Sequence, residues 1–197
     1  MSSPQGRSAE RTRAALVDAA RKLFVAKGYF ATGTEEIVTE ANVGTRGALY
    51  HHFADKQDLF LAVFHQVQAD LAAATTGSER GDALDLLIGA LQQFLDASAD
   101  NADVQQVLLI DGPAVLGWDQ WRRLEADYGL GAITAMLDAA VSERAIPKQP
   151  TAPLAHMLLA AVDEAALYIA NAYDRRQARN ETRRALGRLL DGLRSEK

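Results

Sequence analysis

The sequence predicts an all-α protein of about nine helices: a three-helix N-terminal unit followed by a larger helical region. Three observations carry that expectation. From Asp55 to the C-terminus, apolar residues recur at helical spacing, with no alternating strand-like run and no repeat of fixed period. Polar capping residues and small turn-formers punctuate these stripes. With 48% hydrophobic residues over 197 positions, the chain has enough apolar material for a real core.

Ser8 to Lys27 reads as the first helix, with Leu16, Ala19, Ala20, Leu23 and Phe24 on one stripe and Gly28 as its C′ stop. Arg7, Arg11 and Arg13 precede or open it. Thr34 is expected to cap a second, short helix, with Glu35 and Glu36 in its first turn and Ile37, Val38 and Ala41 on its inner side. Asn42, Val43 and Gly44 break the run: Asn and Gly tolerate positive φ, and Val43 is left to plug the corner. Thr45 can then cap a third helix through His52, with Leu49 and Phe53 inward and Thr45, Arg46, Ala48, Tyr50, His51 and His52 on the other face.

That outer face suits a nucleic-acid groove. Small residues near the helix start let the backbone approach base edges while Arg46 reaches guanine acceptors. Tyr50 and His51 can donate to phosphates, and Asp55 can cap a further helix whose first N–H groups, with Lys56, form an anion site. An αα-hairpin that merely packs fits the same pattern.

Charge is distributed accordingly. Residues 1–56 hold eight Lys/Arg against six Asp/Glu, a net of +2, whereas the remainder is at −7, giving −5 overall. Any polyanion contact therefore belongs to the N-terminal end.

Phe60, Leu61, Phe64, Val67 and Leu71 stripe a fourth helix, expected to stop at Thr75-Thr76-Gly77. Leu84, Leu87, Ile88, Leu91, Phe94 and Leu95 stripe a fifth, and Val104 to Ile110 a short sixth ended by Asp111-Gly112-Pro113. Trp118 to Ser142 is a long seventh loosened by Gly129 and Gly131, and Pro147, Pro150 and Pro153 mark a loop. Leu154 to Tyr173 is apolar nearly all round, so one side can fill the core while the other needs cover. In Arg179 to Leu193, Leu186, Leu189, Leu190 and Leu193 share a stripe, with Arg183, Arg184 and Arg188 outside.

The run Gly47-Ala48-Leu49-Tyr50-His51-His52-Phe53 followed by Asp55-Lys56, after Ile37-Val38 and Ala41-Asn42-Val43, resembles the DNA-binding domain of TetR-family transcriptional repressors. The resemblance covers roughly Ser8 to Phe64. It implies a helix-turn-helix DNA-binding domain over 1–54 and a ligand-binding and dimerisation domain over 55–197. Matched to that motif, Thr45, Arg46, Gly47 and Ala48 would face bases, and Thr34, Tyr50, His51 and Lys56 would hold phosphates. Gly44 stands as one residue more than the family's usual spacing, which leaves the base-facing register open by one position.

The resemblance further implies a homodimer on a double-stranded, palindromic DNA operator, its last two helices from each chain closing a four-helix bundle with Leu167, Leu186, Leu189, Leu190 and Leu193. Packing of the same leucines within one chain is the alternative. It also implies a cavity for an unknown small-molecule inducer, for which Phe94, Trp118, Trp121, Tyr128, Met136, Met157 and Asp163 are the candidates; each aromatic singly fits a core position as well. Asp163 and Glu164 sit adjacent on the apolar helix, so at least one belongs near the interior or an interface, as an acceptor for a cationic or hydroxylated ligand or as a partner of Arg175, Arg176 or an arginine of the last helix.

No nucleophile elbow, phosphate-binding glycine loop or zinc helix occurs, so catalysis is not expected. His51 and Asp55 at four-residue spacing could share a metal, but Asp55 fits better as a cap; no metal site and no cofactor are expected. The absence of cysteine excludes disulfides and Cys-based metal sites and fits a cytoplasmic location. Residues 1–13 lack an apolar leader core, and no membrane partner is expected. A helical adaptor dimer that binds no DNA is the other reading of the chain.

Overall fold

The computed structural model describes residues 4–74 and 81–195. Among them there are nine helices and no strand, which agrees with the expected class. The first four are α1 (Pro4–Lys27), α2 (Thr34–Glu40), α3 (Arg46–His52) and α4 (Lys56–Ala74); the fifth, α5, spans Ala83–Asp100. The expected stop of α4 at Thr75-Thr76-Gly77 lies outside the described residues.

Two expected boundaries change. The sixth helix does not end at Asp111-Gly112-Pro113. It runs as a wide-turned π segment, Val104–Asp111, straight into Gly112–Leu116, and the break comes at Gly117 with φ +76. Pro113 falls in the first turn of the second part, and its missing N–H leaves a carbonyl of the preceding turn to another donor. This whole stretch, 104–116, is α6. The long seventh helix, α7 (118–142), is continuous as expected but carries a second π segment at Ala126–Leu130, where Gly129 weakens the ladder. Helix α8 spans Thr151–Asn171, so Pro153 belongs to its first turn and not to the loop; α9 spans Arg175–Asp191.

Two apolar cores meet at Phe94 and Leu109. The first joins α1 to α4 through Leu16, Phe24, Ile37, Leu49, Phe53, Phe60 and Phe64, and continues into Val107, Leu108 and Trp121 of α6 and α7. Packing therefore runs on across position 54, and α4 belongs to the head as much as to the body. The second core gathers α5, α7, α8 and α9 around Leu87, Leu95, Leu137, Leu158, Leu186 and Leu190. Arginines reinforce it: Arg179 pairs with Asp100, Arg183 with Asp96, and Arg194 with Asp82 and Asp85, fastening the C-terminal segment along α5. Helix α8 is long and apolar enough to span a membrane by composition, but its Ala155, Val162, Ala166 and Ile169 are core residues here.

Trp121 fastens α7 to α6 within the first core. Its indole N–H donates to the Leu108 carbonyl at 3.0 Å. The residue five positions after Leu108, where a π-helical donor would come from, is Pro113, which has no N–H. Gly112 leaves the space: a Cβ there would stand 3.0 Å from Trp121 Cδ1 and 3.2 Å from a Phe64 ring carbon.

Candidate nucleic-acid interface and effector cavity

The turn between α2 and α3 is built by two left-handed residues. Asn42 has φ 53 and Gly44 φ +87, and the Thr45 N–H donates to the Val43 carbonyl at 3.1 Å, a γ-turn centred on Gly44. A side chain is strained at that φ, which explains glycine there. With Gly44 inside the turn, α3 points Leu49 and Phe53 inward, at 0% and 3% exposure.

Capping differs in detail from expectation. Gly33, not Thr34, is the N-cap of α2; its N–H is taken by the Glu36 carboxylate at 2.7 Å, and Thr34 is the first helical residue. Thr45 is the N-cap of α3 by backbone geometry, but its hydroxyl makes no capping bond. Asp55 behaves as expected, accepting from Asp58 N at 2.8 Å at the start of α4.

The outer face of α3 is open: Thr45, Arg46, Gly47, Tyr50 and His51 are exposed and Ala48 half-buried. Arg46 Nη2 donates to the Tyr50 hydroxyl at 3.2 Å, its guanidinium lies 5.5 Å from the centre of the Tyr50 ring, and Nη1 stands 3.6 Å from Glu35. Hydrogen bonds from Arg46 and then Thr34 hold the Tyr50 phenol below its ordinary value. Thr34, Arg46 and Tyr50 thus form one surface cluster bridging α2 and α3. Beside it, Arg13 of α1 stacks on Phe53 at 5.0 Å. Lys56 is held differently: its ammonium donates to the Tyr29 carbonyl at 2.6 Å, sits 4.0 Å from the Tyr29 ring centre, and is lowered in pKa by burial. Tyr29 N in turn donates to Asp111 of α6 at 2.8 Å, linking head to body.

In the body, an apolar cavity of about 410 Å³ opens between α4, α5, α7 and α8, lined among others by Gln68, Leu71, Phe94, Tyr128, Met136 and Leu159. An inner recess of about 30 Å³ adjoins it, sharing Gln68, Leu71, Phe94, Gly129 and Leu159 and adding Glu125 and Asp163. Phe94, Tyr128, Met136 and Asp163 are therefore brought together as expected. Three expected ligand residues are not. Trp121 is buried in the first core, while Trp118 and Met157 are each 61% exposed and line neither space. Gln68, Leu71, Leu159 and Glu125 escaped sequence reading because three look like ordinary core or surface positions and Glu125 sits in a polar run.

The polar end of the recess is unusual. Asp163 is 8% exposed and its Oδ2 has no hydrogen-bond partner. Burial pushes its carboxyl up to about 8, and the Glu125 charge adds to the shift. Glu125 is also raised by burial but has a partner, Arg122, at 2.7 Å, whose guanidinium is stacked on Trp118 and Trp121 at 4.5 and 4.4 Å. Of the two carboxyls, Asp163 is the one without a cation of its own, so burial favours its neutral form more. Glu164 is exposed; of the arginines expected as partners, Arg175 donates to the Ala99 carbonyl, Arg179 pairs with Asp100 and Arg183 with Asp96. At the cavity mouth, His65 of α4 shares a 2.8 Å hydrogen bond with the Tyr128 hydroxyl.

The expected dimer stripe is divided. Leu186 and Leu190 are buried within the chain at 6% and 0% exposure, which corrects their assignment to an open face; Leu167 and Leu193 are half-buried, and only Leu189 is open. The periodicity marks the side turned to the second core, against α5 and α8. The open face with apolar residues lies instead on α8, where Met157, Ala161 and Tyr168 follow one another at helical spacing with Glu164 among them.

A short polar helix presented by a tight turn on a three-helix head, above a second helical core with its own cavity, defines a helix-turn-helix regulator. The chain belongs to the TetR family: residues 16–63 match "Bacterial regulatory proteins, tetR family" and residues 84–193 match "Tetracyclin repressor-like, C-terminal domain". It is 30% identical over 153 residues to the transposon Tn10 TetC protein of Escherichia coli, covering 75% of this chain and 74% of that one. It is 31% identical over 148 residues to the A-factor receptor protein of Streptomyces griseus, covering 70% of this chain and about half (52%) of that one. A TetR-family regulator from Pectobacterium atrosepticum superimposes with a TM-score of 0.75 at 30% identity, covering 96% of this chain and 97% of its own. The family binds DNA, regulates transcription and responds to ligands, and this chain has the head and the cavity for it.

Proposed function

We propose that this protein is a cytoplasmic, homodimeric repressor that binds a palindromic DNA operator and is released by a small-molecule inducer. The observation that carries the reading is α3, with Leu49 and Phe53 anchored in the core while Arg46, Tyr50 and their neighbours stand open. Thr45, Arg46, Gly47 and Ala48 read base edges, and Thr34, Tyr50, His51 and Lys56 hold the backbone. Lys56 does so after exchanging its bond to Tyr29 for a phosphate. The repressor sense follows the wording of the C-terminal family description.

Dimerisation is supported by the open apolar stripe of α8 together with Leu189 of α9. Two copies joined there would set two α3 helices about 34 Å apart for successive major grooves. Release is supported by the cavity, because Gln68 and Leu71 of α4 line it and α4 begins at the head. An inducer acts only through greater affinity for the non-binding form; a 100-fold preference is worth about 2.7 kcal/mol.

Selection of bound fragments from random duplex DNA tests this directly. Two inverted half-sites about one helical turn apart are expected; recovery of no enriched sequence, with no salt-sensitive duplex affinity, would overturn the reading.

A further inference from the structure

We propose that the cavity takes a lipophilic monocation, with its apolar body against Leu71, Phe94, Met136 and Leu159 and its positive nitrogen at Asp163, and that binding expels one proton from that carboxyl. This rests on the reading of the cavity as the effector site and names the chemistry of its occupant. The wide part of the cavity is walled by aliphatic and aromatic side chains, while its acidic groups are confined to the recess. An occupant is thereby sorted into an apolar body and one polar end.

The recess asks for a cation for a specific reason. Arg122, the cation beside it, is already committed to Glu125 and lies over the rings of Trp118 and Trp121. Asp163 is left as a buried acid with an unpartnered oxygen. An isolated carboxylate in such surroundings is costly, so the group stays protonated, in line with its upward shift to about 8. A charged nitrogen arriving at Oδ2 removes that cost: the O–H bond of Asp163 breaks, its proton leaves to solvent, and the carboxylate pairs with the ligand's ammonium. The charged groups that act on Asp163 are Glu125, which opposes its ionisation, and Arg122, which favours it; both come from α7, while α4 contributes the neutral Gln68. An anionic ligand would meet Glu125 as a like charge. A neutral alcohol can share a hydrogen bond with Asp163 but displaces no proton.

The test uses the full chain and three probes of matched body: octylamine, octanol and octanoate. Titration calorimetry at pH 7 in two buffers of different protonation enthalpy should show octylamine binding at least tenfold more tightly than octanol, with octanoate weakest. The apparent enthalpy for octylamine should shift between buffers by about one proton per ligand, and that for octanol should not shift. Asp163→Asn should lose both the tenfold preference and the proton release while keeping its octanol affinity. The ranking and the buffer dependence need no variant, so they stand even if that substitution fails to fold. Octanol binding as tightly as octylamine, or octylamine binding without proton release, overturns the cation assignment and leaves the effector cavity standing. Failure of all three probes to bind overturns the effector cavity itself.

Discussion

Arg46 and Tyr50, one turn apart on α3, are hydrogen-bonded to each other: the guanidinium donates to the phenol at 3.2 Å and lies over its ring. The pair is open to solvent, so it contributes little to folding; its arrangement shapes the surface offered to DNA. Reading a base with Arg46 requires it to leave Tyr50 and Glu35, and a phosphate at Tyr50 is the group that would take its place.

Arg46→Ala should cost about 1 to 3 kcal/mol on the selected operator and blur preference at one base position, because a base-directed contact is lost. Tyr50→Phe keeps the ring but removes the hydroxyl, and should weaken operator and scrambled duplex alike. Binding titrations of both duplexes across a salt series separate the two. Equal weakening of both by Arg46→Ala sinks its role in base reading.

Neighbouring leucines on α9 should behave in opposite ways. Leu190 is fully buried, so Leu190→Ala should cost about 2 to 5 kcal/mol in urea unfolding. Leu189 is 56% exposed, and Leu189→Asp should halve the mass seen by sedimentation and make the melting temperature independent of protein concentration. A dimer that survives Leu189→Asp and Tyr168→Asp together would place the interface elsewhere.

The buried acid gives stability a distinctive pH course. The folded-state value of Asp163 lies above its ordinary 3.8, so between about 4 and 8 the folded form binds more protons than the unfolded one. Stability from this group is present at the acid end and is lost as pH rises through that window. Glu36, Asp85 and Asp100 work in the other direction: their values are depressed, first of all by hydrogen bonds from Lys27, Arg194 and Arg179, so their contribution fades as pH falls through the carboxylate range. The difference between wild type and Asp163→Asn in chemical denaturation reports the Asp163–Glu125 pair, and Asp163→Asn should flatten the decline toward pH 8. A parallel course for the two would refute the assignment.

Trp121→Phe preserves most of the ring volume but leaves the Leu108 carbonyl without its donor. Denaturant titration should show a loss of about 1 to 3 kcal/mol, the cost of a buried acceptor left unmade. If no loss is found, another donor serves Leu108.

The head was readable from residue order because its constraints are local. The four-residue spacing of Leu49 and Phe53, the turn-formers at Asn42 and Gly44, and the cap at Asp55 each act within a few positions of themselves. The body was readable as helices but less so as a site. A stripe such as Leu186 and Leu190 tells that a face is covered, not by what, and here the cover is the second core of the same chain, with α5 and α8. Trp118 and Trp121 look equally suited to a ligand, yet a carbonyl orphaned by Pro113 claims one and solvent receives the other. Glu125 becomes important only because folding brings it to Asp163, thirty-eight positions away in sequence.

The shared membership of α4 in both cores has a mechanical consequence. Gln68 at the cavity and Lys56 at the head lie on one unbroken rod, about 18 Å apart at 1.5 Å per residue. Pivoting that rod by only about 3° about its inner end swings the outer end by roughly 1 Å. In a symmetric pair the two swings add, so a molecule small enough to sit beside one side chain has the leverage to spoil the spacing of two distant hands on a double helix.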